Sequence, residues 1–309
     1  MKIMALLNAL PGACAQGLIW GIMAIGVYIT YKILDLADLT VDGTMCTGGA
    51  VCIIMMVNGF PVWVALLAAF GAGMLAGLVT GIFHTVMGIP AILSGILTQL
   101  GLYSVNLRIM MGKSNQAISV DKYDLLVSLR YVKGVEFYKN TIFVTAVFII
   151  IIIALLYWFF GTELGCAIRA TGSNPNMSRA QGINTNKGKI IGLMLSNGIV
   201  ALASGLYAQY QGFSDVNAGR GAIVIGLAAV IIGQVVFGKI NGNFAFRLLS
   251  VVFGAIIYYL VMQIVMWMGL ESNDLKLFSA LVVAVFLAIP YMKETYFSKK
   301  VKRGGAGNA

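Results

Sequence analysis

The chain alternates long apolar tracts with short polar breaks. Nine tracts can be marked: 11–31, 43–57, 61–87, 89–111, 141–160, 190–211, 221–237, 244–268 and 275–290. A helix needs about 20 apolar residues to cross a bilayer, fewer where it is broken or sheltered by neighbours. In hydrocarbon every backbone polar group must find its partner within the protein, so tracts of this length predict helices. The boundaries are uneven: 43–57 and 221–237 are short, and 61–111 is divided only at Gly88-Ile89-Pro90. The pattern predicts an all-α polytopic membrane protein of about eight to ten transmembrane helices in a single domain, 1–309. Its parts are an N-terminal half (1–160), a polar region (161–189), a C-terminal half (190–290) and a basic tail (291–309).

The polar region carries Glu163, Arg169, Arg179, Lys187 and Lys189 between two long apolar tracts. It reads as a short helix with its own punctuation. Asn174 is a good N-cap, and Pro175 takes the first helical position, where a missing N–H costs nothing. Gly182 is placed to end the helix in a left-handed conformation. Met177, Ala180 and Gln181 share a face by their spacing. Two turns of helix are marginal alone in water, so the segment is either an ordinary polar loop or a helix that docks on something else.

Composition narrows the class. Of 309 residues, 60% are hydrophobic and only 10% are charged, with a mean hydropathy of +0.91. A soluble domain carries about 25% charged residues, so this chain has too few to solvate a globular surface. The net charge of +10 is not a nucleic-acid footprint, because five of the bases cluster in the tail at Lys293, Lys299, Lys300, Lys302 and Arg303. Basic clusters beside membrane segments face the cytoplasm. Cys14, Cys46, Cys52 and Cys166 show no metal spacing and read as inert thiols. The start resembles a signal peptide, but its apolar run continues to Tyr31, so no cleavage is expected. The lone His84 reads as a packed imidazole. A phosphate-binding loop, an HExxH motif and a Ser/His/Asp set are all missing from the sequence, so neither catalysis, a metal nor a cofactor is expected.

Charge sets an expected topology. The tail and 162–189 are placed inside, and four spans separate them, so the two placements agree. The segment 238–243, with Lys239, then falls inside. The segments 212–220 and 269–274, the latter with Glu271 and Asp274, fall outside, as do 112–140 and the N-terminus. The mixed charges of 112–140 and Lys2 go mildly against the rule. Within 112–140, Ile118-Ser119-Val120 and Phe137-Tyr138 suit short strands or an interfacial helix, or the whole is a solvated connector.

A faint repeat runs through the chain. Residues 24–43 echo 201–219, with Tyr31 matching Tyr207 and Gly43 matching Gly219. Each copy is an apolar helix, a polar break and a second helix rich in small residues. Five spans separate the breaks, so the copies are inverted in the membrane, an arrangement that in transporters places the breaks beside the substrate path. By the charge topology the first break lies toward the inner face and the second toward the outer. Asp35, Asp38 and Asp42 punctuate the first. A carboxylate in the bilayer is costly and must face a cavity, a partner or the interface. Asp42 either caps the helix beginning at Gly43 or serves the path. Asp215, Asn217, Gly219 and Arg220 mark the second break, with Asp215 and Arg220 placed to pair. Asn197, Gln99, Asn106 and Gln234 are amides within spans. Such groups usually bond between helices, for about 0.6 kcal/mol each, and together they are also able to line a path for a small polar solute. The candidate path or gate is Asp38, Asp42, Gly43, Gln99, Asn106, Asn197, Asp215, Asn217, Gly219 and Arg220. Small residues, among them Gly48, Gly49, Gly71, Gly73, Ala76, Gly77, Gly226 and Gly233, predict close helix packing.

The order and spacing of Gly165, Arg169, Ala170, Gly172, Asn174, Pro175, Ala180, Gly182 and Ile183 carry a resemblance. So do Gly205-Leu206-Tyr207-Ala208, Gln211-Gly212-Phe213, Gly226-Leu227-Ala228 and Val230-Ile231-Ile232-Gly233 further on. Together they resemble the permease subunits of ATP-binding-cassette (ABC) importers in the ribose and branched-chain amino acid permease family, most of all those of tryptophan/tyrosine-type uptake systems. The resemblance implies that the polar region is a coupling element seated in a groove of a separate ABC ATPase subunit. Arg169, Gly172, Asn174, Pro175, Met177, Arg179, Ala180 and Gly182 are its candidate contacts. It further implies an extracytoplasmic solute-binding protein near 112–140, a second permease copy, surrounding membrane lipid, and a place in a bacterial cytoplasmic membrane. The solute implied is a small polar one, an amino acid; the family usually keeps an acidic residue and a glycine near 42–43, as gate support. The alternative from another class is a stand-alone secondary transporter or channel, which needs coupling-ion ligands in mid-membrane.

Overall fold

The computed structural model describes residues 2–119, 122–123, 125–132, 139–238, 242–268 and 275–292. Every marked tract is a helix. Helix α1 (Lys2–Tyr28) runs into a π turn (Ile29–Ile33), followed by α2 (Thr40–Val57), α3 (Val62–Thr85), α4 (Ala91–Ile109) and strand β1 (Asn115–Ala117). Then come α5 (Thr141–Gly161), α6 (Glu163–Ser173), α7 (Pro175–Ala180), α8 (Thr185–Gln211), β2 (Phe213–Asp215), α9 (Ala222–Phe237), α10 (Phe244–Trp267) and α11 (Leu275–Met292). Among the described residues, six helical stretches are long and apolar enough to cross a membrane: Ala9–Ile33, Thr40–Val57, Val62–Thr85, Thr141–Gly161, Thr185–Gln211 and Phe244–Trp267. The protein is a multi-pass helical membrane protein.

Helix α8 is the hub, packed on α1, α2 and α3. Small residues let the backbones touch: a Cβ at Gly73 or Gly77 of α3 would strike the carbonyls of Asn197 and Leu193. In a bilayer such contact replaces the hydrophobic drive that lipid cannot supply. The apolar centre holds Ile19, Ile22, Met23, Ile25 and Ile53, all fully buried. Ile150, Leu155 and Trp158 of α5 and Leu67 and Leu75 of α3 face outward, as lipid contact requires.

The repeat has a structural counterpart. As α2 advances through Thr44, Gly48 and Cys52 it meets Asn197, Ala201 and Gly205 of α8, so the two run parallel. Helix α1 runs antiparallel to α8, with Gly26 beside Val200 and Tyr210 bonded to Gly12. Helix α10 opposes α1 (Gly17 on Ile256, Gly21 on Val252), and α9 opposes α10 (Gly233 on Ser250, Gly254 on Ala229). Hence α9 opposes α2. The two short helices begin at one place and point apart, because Asp42 on the first turn of α2 bonds the first turn of α9. The breaks open at opposite ends of α8, the first with Ile33 and Leu34 against Gly172 and Gly192, the second with β2 paired to β1, and then re-enter the bundle. Both return to mid-depth, where Thr44 on the first turns of α2 bonds Asn197, the thirteenth of the twenty-seven residues of α8.

Near the predicted outer face, β1 and β2 pair antiparallel, Asn115 opposite Asp215 and Ala117 opposite Phe213. The strand expected at Ile118–Val120 lies a few residues earlier, with Ile118 N–H donating to the Gly212 carbonyl at 2.8 Å. Val120, Asp121, Asp124, Lys133, Glu136, Phe137-Tyr138, Lys239, Glu271, Asp274 and the tail from Lys293 on lie outside the described residues.

Candidate translocation site and coupling surface

Asp38 and Asp42 divide the work at the start of α2. Asp38 Oδ1 accepts from Thr40 N–H at 2.9 Å, so it is Asp38 that caps α2. Its Oδ2 accepts from Asn197 Nδ2 at 2.7 Å, while Asn197 Oδ1 accepts from Thr44 Oγ1 at 2.7 Å. Asp38 is 3% exposed and Asn197 0%, so this network is sealed. Thr40, Thr80 and Thr98 continue it as a hydroxyl chain with links of 2.7 and 2.9 Å, joining α2, α3 and α4. Asp42 does not cap its own helix. Its carboxylate accepts from Gly221 N–H at 3.0 Å and Ile223 N–H at 2.9 Å and so caps α9 across the bundle. A carboxylate at a helix N-terminus satisfies orphan donors and meets the positive end of the helix dipole.

Beside this crossing is a cavity of about 480 Å³, lined by Asp42, Gly43, Cys46, Gln99, Leu100, Tyr103, Asn106, Val216 and Arg220. The structure thus gathers five of the candidate path residues: Asp42, Gly43, Gln99, Asn106 and Arg220. Asn106 Nδ2 donates to the Gly43 carbonyl at 3.5 Å, whereas its buried Oδ1 has no partner among the described residues. Asp38 and Asn197 stand behind the wall in the sealed network. Gly219 is a packing residue, since a Cβ there would strike the Asp42 carbonyl; its N–H donates to Cys46 Sγ at 3.2 Å. Asp215 does not pair with Arg220. It sits in the strand, accepts from Asn217 N–H at 2.5 Å and leaves the Arg220 guanidinium without a partner among the described residues. Asn217 serves that turn, its carbonyl also accepting from Arg220 N–H at 3.1 Å. Sequence reasoning read Cys46 only as an inert thiol and passed over the threonines; the i, i+4, i+7 spacing of Thr40, Thr44 and Thr47 along a largely apolar helix was the available signal.

The polar region is more ordered than expected, with a further helix, α6, before the predicted one. Thr162 caps α6 through Gly165 N–H at 3.3 Å. Asn174 caps α7 through Met177 N–H at 3.0 Å, with Pro175 at its first position. Gly182 has φ +80°. Pro175, Met177 and Ala180 are exposed, Met177 at 63%. Arg179 is partly engaged, its Nε donating to Thr185 Oγ1 at 2.9 Å. Arg169 lies over the Phe244 ring at 5.7 Å. Gly172 packs so tightly on the Ile33 carbonyl that a Cβ would strike it. Its neighbour Leu34 touches Gly192 of α8. His84 is held as expected for a packed imidazole: its Nδ1 bonds the Ile89 carbonyl at 2.9 Å and its Nε2 bonds Lys189 Nζ at 3.1 Å.

A broken-helix membrane bundle with a polar mid-depth cavity and an exposed helical island defines a polytopic transport protein. The chain belongs to the permease components of branched-chain amino acid transport systems, a family that matches residues 11–290. It is 41% identical over 282 residues to a tyrosine transport system permease protein of Clostridioides difficile, covering 91% of each chain. It is 27% identical to the fructose import permease protein FruF of Bifidobacterium longum, over 86% of this chain and 73% of that one. The fold is similar to PsaBC from Streptococcus pneumoniae, solved in complex with Fab, with a TM-score of 0.55 at 16% identity, covering 96% and 99% of the two chains.

Proposed function

We propose that this chain is the membrane subunit of an ABC importer that brings an amino acid across a bacterial cytoplasmic membrane. A separate ATPase drives it, an extracytoplasmic binding protein delivers the solute, and a second copy completes the path. The N-terminus and 112–140 face outside; the polar region and tail face the cytoplasm. The named relative that transports tyrosine supports an amino acid, and charge parity supports the orientation. The contact that carries the reading is Gly172 against the Ile33 carbonyl. It joins the exposed island to the π turn that opens the first break. Displacing α6 and α7 pushes on Ile33 and Leu34, and through Asp38 on the start of α2 beside the cavity. Closure of an ATPase dimer against α7 therefore reaches the crossing of the half-helices along a continuous packed line.

A stand-alone carrier needs mid-membrane carboxylates available to a coupling ion. Asp38 and Asp42 are at that depth, but both are occupied, one by Thr40 N–H and Asn197, the other by Gly221 and Ile223 N–H. The test is co-expression with a cognate ATPase and binding protein, purification of the complex and measurement of solute-stimulated ATP hydrolysis. A chain that purifies alone and transports without ATP overturns the reading.

A further inference from the structure

Arg220 borders two cavities. On one side is the mid-depth cavity beside Asp42; on the other is a larger one of about 620 Å³, lined by residues of α1, α8, α9, α10 and α11. The second is walled by aromatic and sulfur side chains: Trp20, Tyr207, Tyr258, Tyr259 and Met262. Their rings form a linked cluster. Trp20 meets Tyr207 edge-on with centroids 5.4 Å apart and Tyr259 at 5.8 Å, and Tyr259 meets Tyr258 edge-on at 5.4 Å. Two of the phenols are tied back, Tyr258 to Ser279 Oγ and Tyr207 to Gln211 Nε2, each at 2.6 Å. That leaves ring faces and edges as the surface offered. The remaining polar lining is Gln16, Gln263 and Ser279.

Three facts converge on a ligand. First, Arg220 is exposed where the two cavities meet and makes neither an ion pair nor a side-chain hydrogen bond among the described residues, so its guanidinium is open to an anion. Its depth is fixed by its neighbours, since Gly219 lies on the Asp42 carbonyl and Gly221 N–H is bonded to the Asp42 carboxylate. Second, the volume falls in the range of small-molecule sites, about 300–1,000 Å³, which are apolar with a few convergent polar groups. Third, the aromatic walls and the cation lie in the same cavity, which matches a ligand with an anionic end and a flat apolar body.

We propose that this cavity is a solute-contact site for an aromatic α-amino acid. Arg220 takes the carboxylate by a forked, charge-assisted pair. The ring lies among Trp20, Tyr207, Tyr258 and Tyr259, and the amide oxygens of Gln16 and Gln263 face the ammonium. Arg220 then passes the headgroup toward the Asp42 cavity as the bundle changes state. The proposal rests on the amino acid importer reading above.

The test measures equilibrium binding of tritiated L-phenylalanine to the permease–ATPase complex in nanodiscs, with the binding protein left out. The expected result is saturable binding displaced by L-tyrosine. Phenethylamine, which lacks the carboxylate, and L-serine, which lacks the ring, displace it at least tenfold less well. Arg220→Gln lowers affinity at least tenfold and Arg220→Lys recovers part of it, with each variant first shown to elute as a single peak. Undetectable L-phenylalanine binding by the wild-type complex overturns the site, and so does displacement by phenethylamine equal to that by L-tyrosine. Unchanged affinity in Arg220→Gln does the same. Failure of the ATPase to co-elute while L-phenylalanine still binds overturns the importer reading instead and leaves this site standing.

Discussion

Replacing Asp42 by alanine tests the mid-depth crossing directly. The carboxylate accepts two backbone N–H groups of α9, at 3.0 and 2.9 Å, and both lose their partner. A buried donor left unpaired costs about 1–3 kcal/mol. Asp42 is half-buried and borders a cavity, so water reaches part of the gap and the lower half of that range applies. Loss of the charge at the helix start adds roughly 0.3–1 kcal/mol. The expected loss is therefore about 2–5 kcal/mol, equivalent to a fall of roughly 3–8 °C in melting temperature for a chain of this size. Asp42→Asn keeps one acceptor oxygen and is expected to lose less than half as much. The assay is thermal unfolding of the purified protein in detergent, followed by uptake in proteoliposomes. Asp42→Ala melting within about 1 °C of wild type, with normal uptake, refutes the view that this carboxylate holds the two half-helices together.

Three further outcomes follow from the same geometry. Ala180→Glu and Met177→Asp place a charge on the exposed face of α7, where burial without a partner costs several kcal/mol; both are expected to abolish solute-stimulated ATP hydrolysis while leaving the melting temperature unchanged, and normal stimulation in both removes α7 as the coupling element. Gly172→Val forces α6 off the Ile33 carbonyl and is expected to cut coupled transport at least tenfold at unchanged ATPase binding, measured as uptake per ATP hydrolysed. Cysteine placed at the exposed Ser114 is expected to react with an impermeant maleimide added to intact cells, and cysteine at the exposed Asn176 to react only after permeabilisation; the reverse pattern inverts the orientation.

Much of this protein was legible in its sequence because a bilayer leaves few choices. Apolar runs must be helices, so all nine tracts became helices close to their expected bounds. Local capping chemistry is equally direct: Asn174, Pro175 and Gly182 act where their residue types act best. Even the faint repeat was detectable, because each break clusters Asp with a glycine, Asp35, Asp38, Asp42 and Gly43 in one and Asp215 and Gly219 in the other, which lipid does not tolerate. Only the tertiary structure decided what those clusters do. Asp42 reads as a cap for the helix beside it in sequence, yet it caps one that starts 180 residues later, because two chain segments dive to the same depth. Asp38 and Asn197 looked like path residues and became a sealed wall, since a buried carboxylate is tolerated only when its partners close around it. Arg220 looked paired with Asp215, but the β1–β2 strand pair holds Asp215 away and leaves the cation facing two cavities. Periodicity and residue type act over a few neighbours, and they determined the helices and their ends. Which polar groups meet depends on how whole helices cross, and that is settled by packing between residues far apart in the chain.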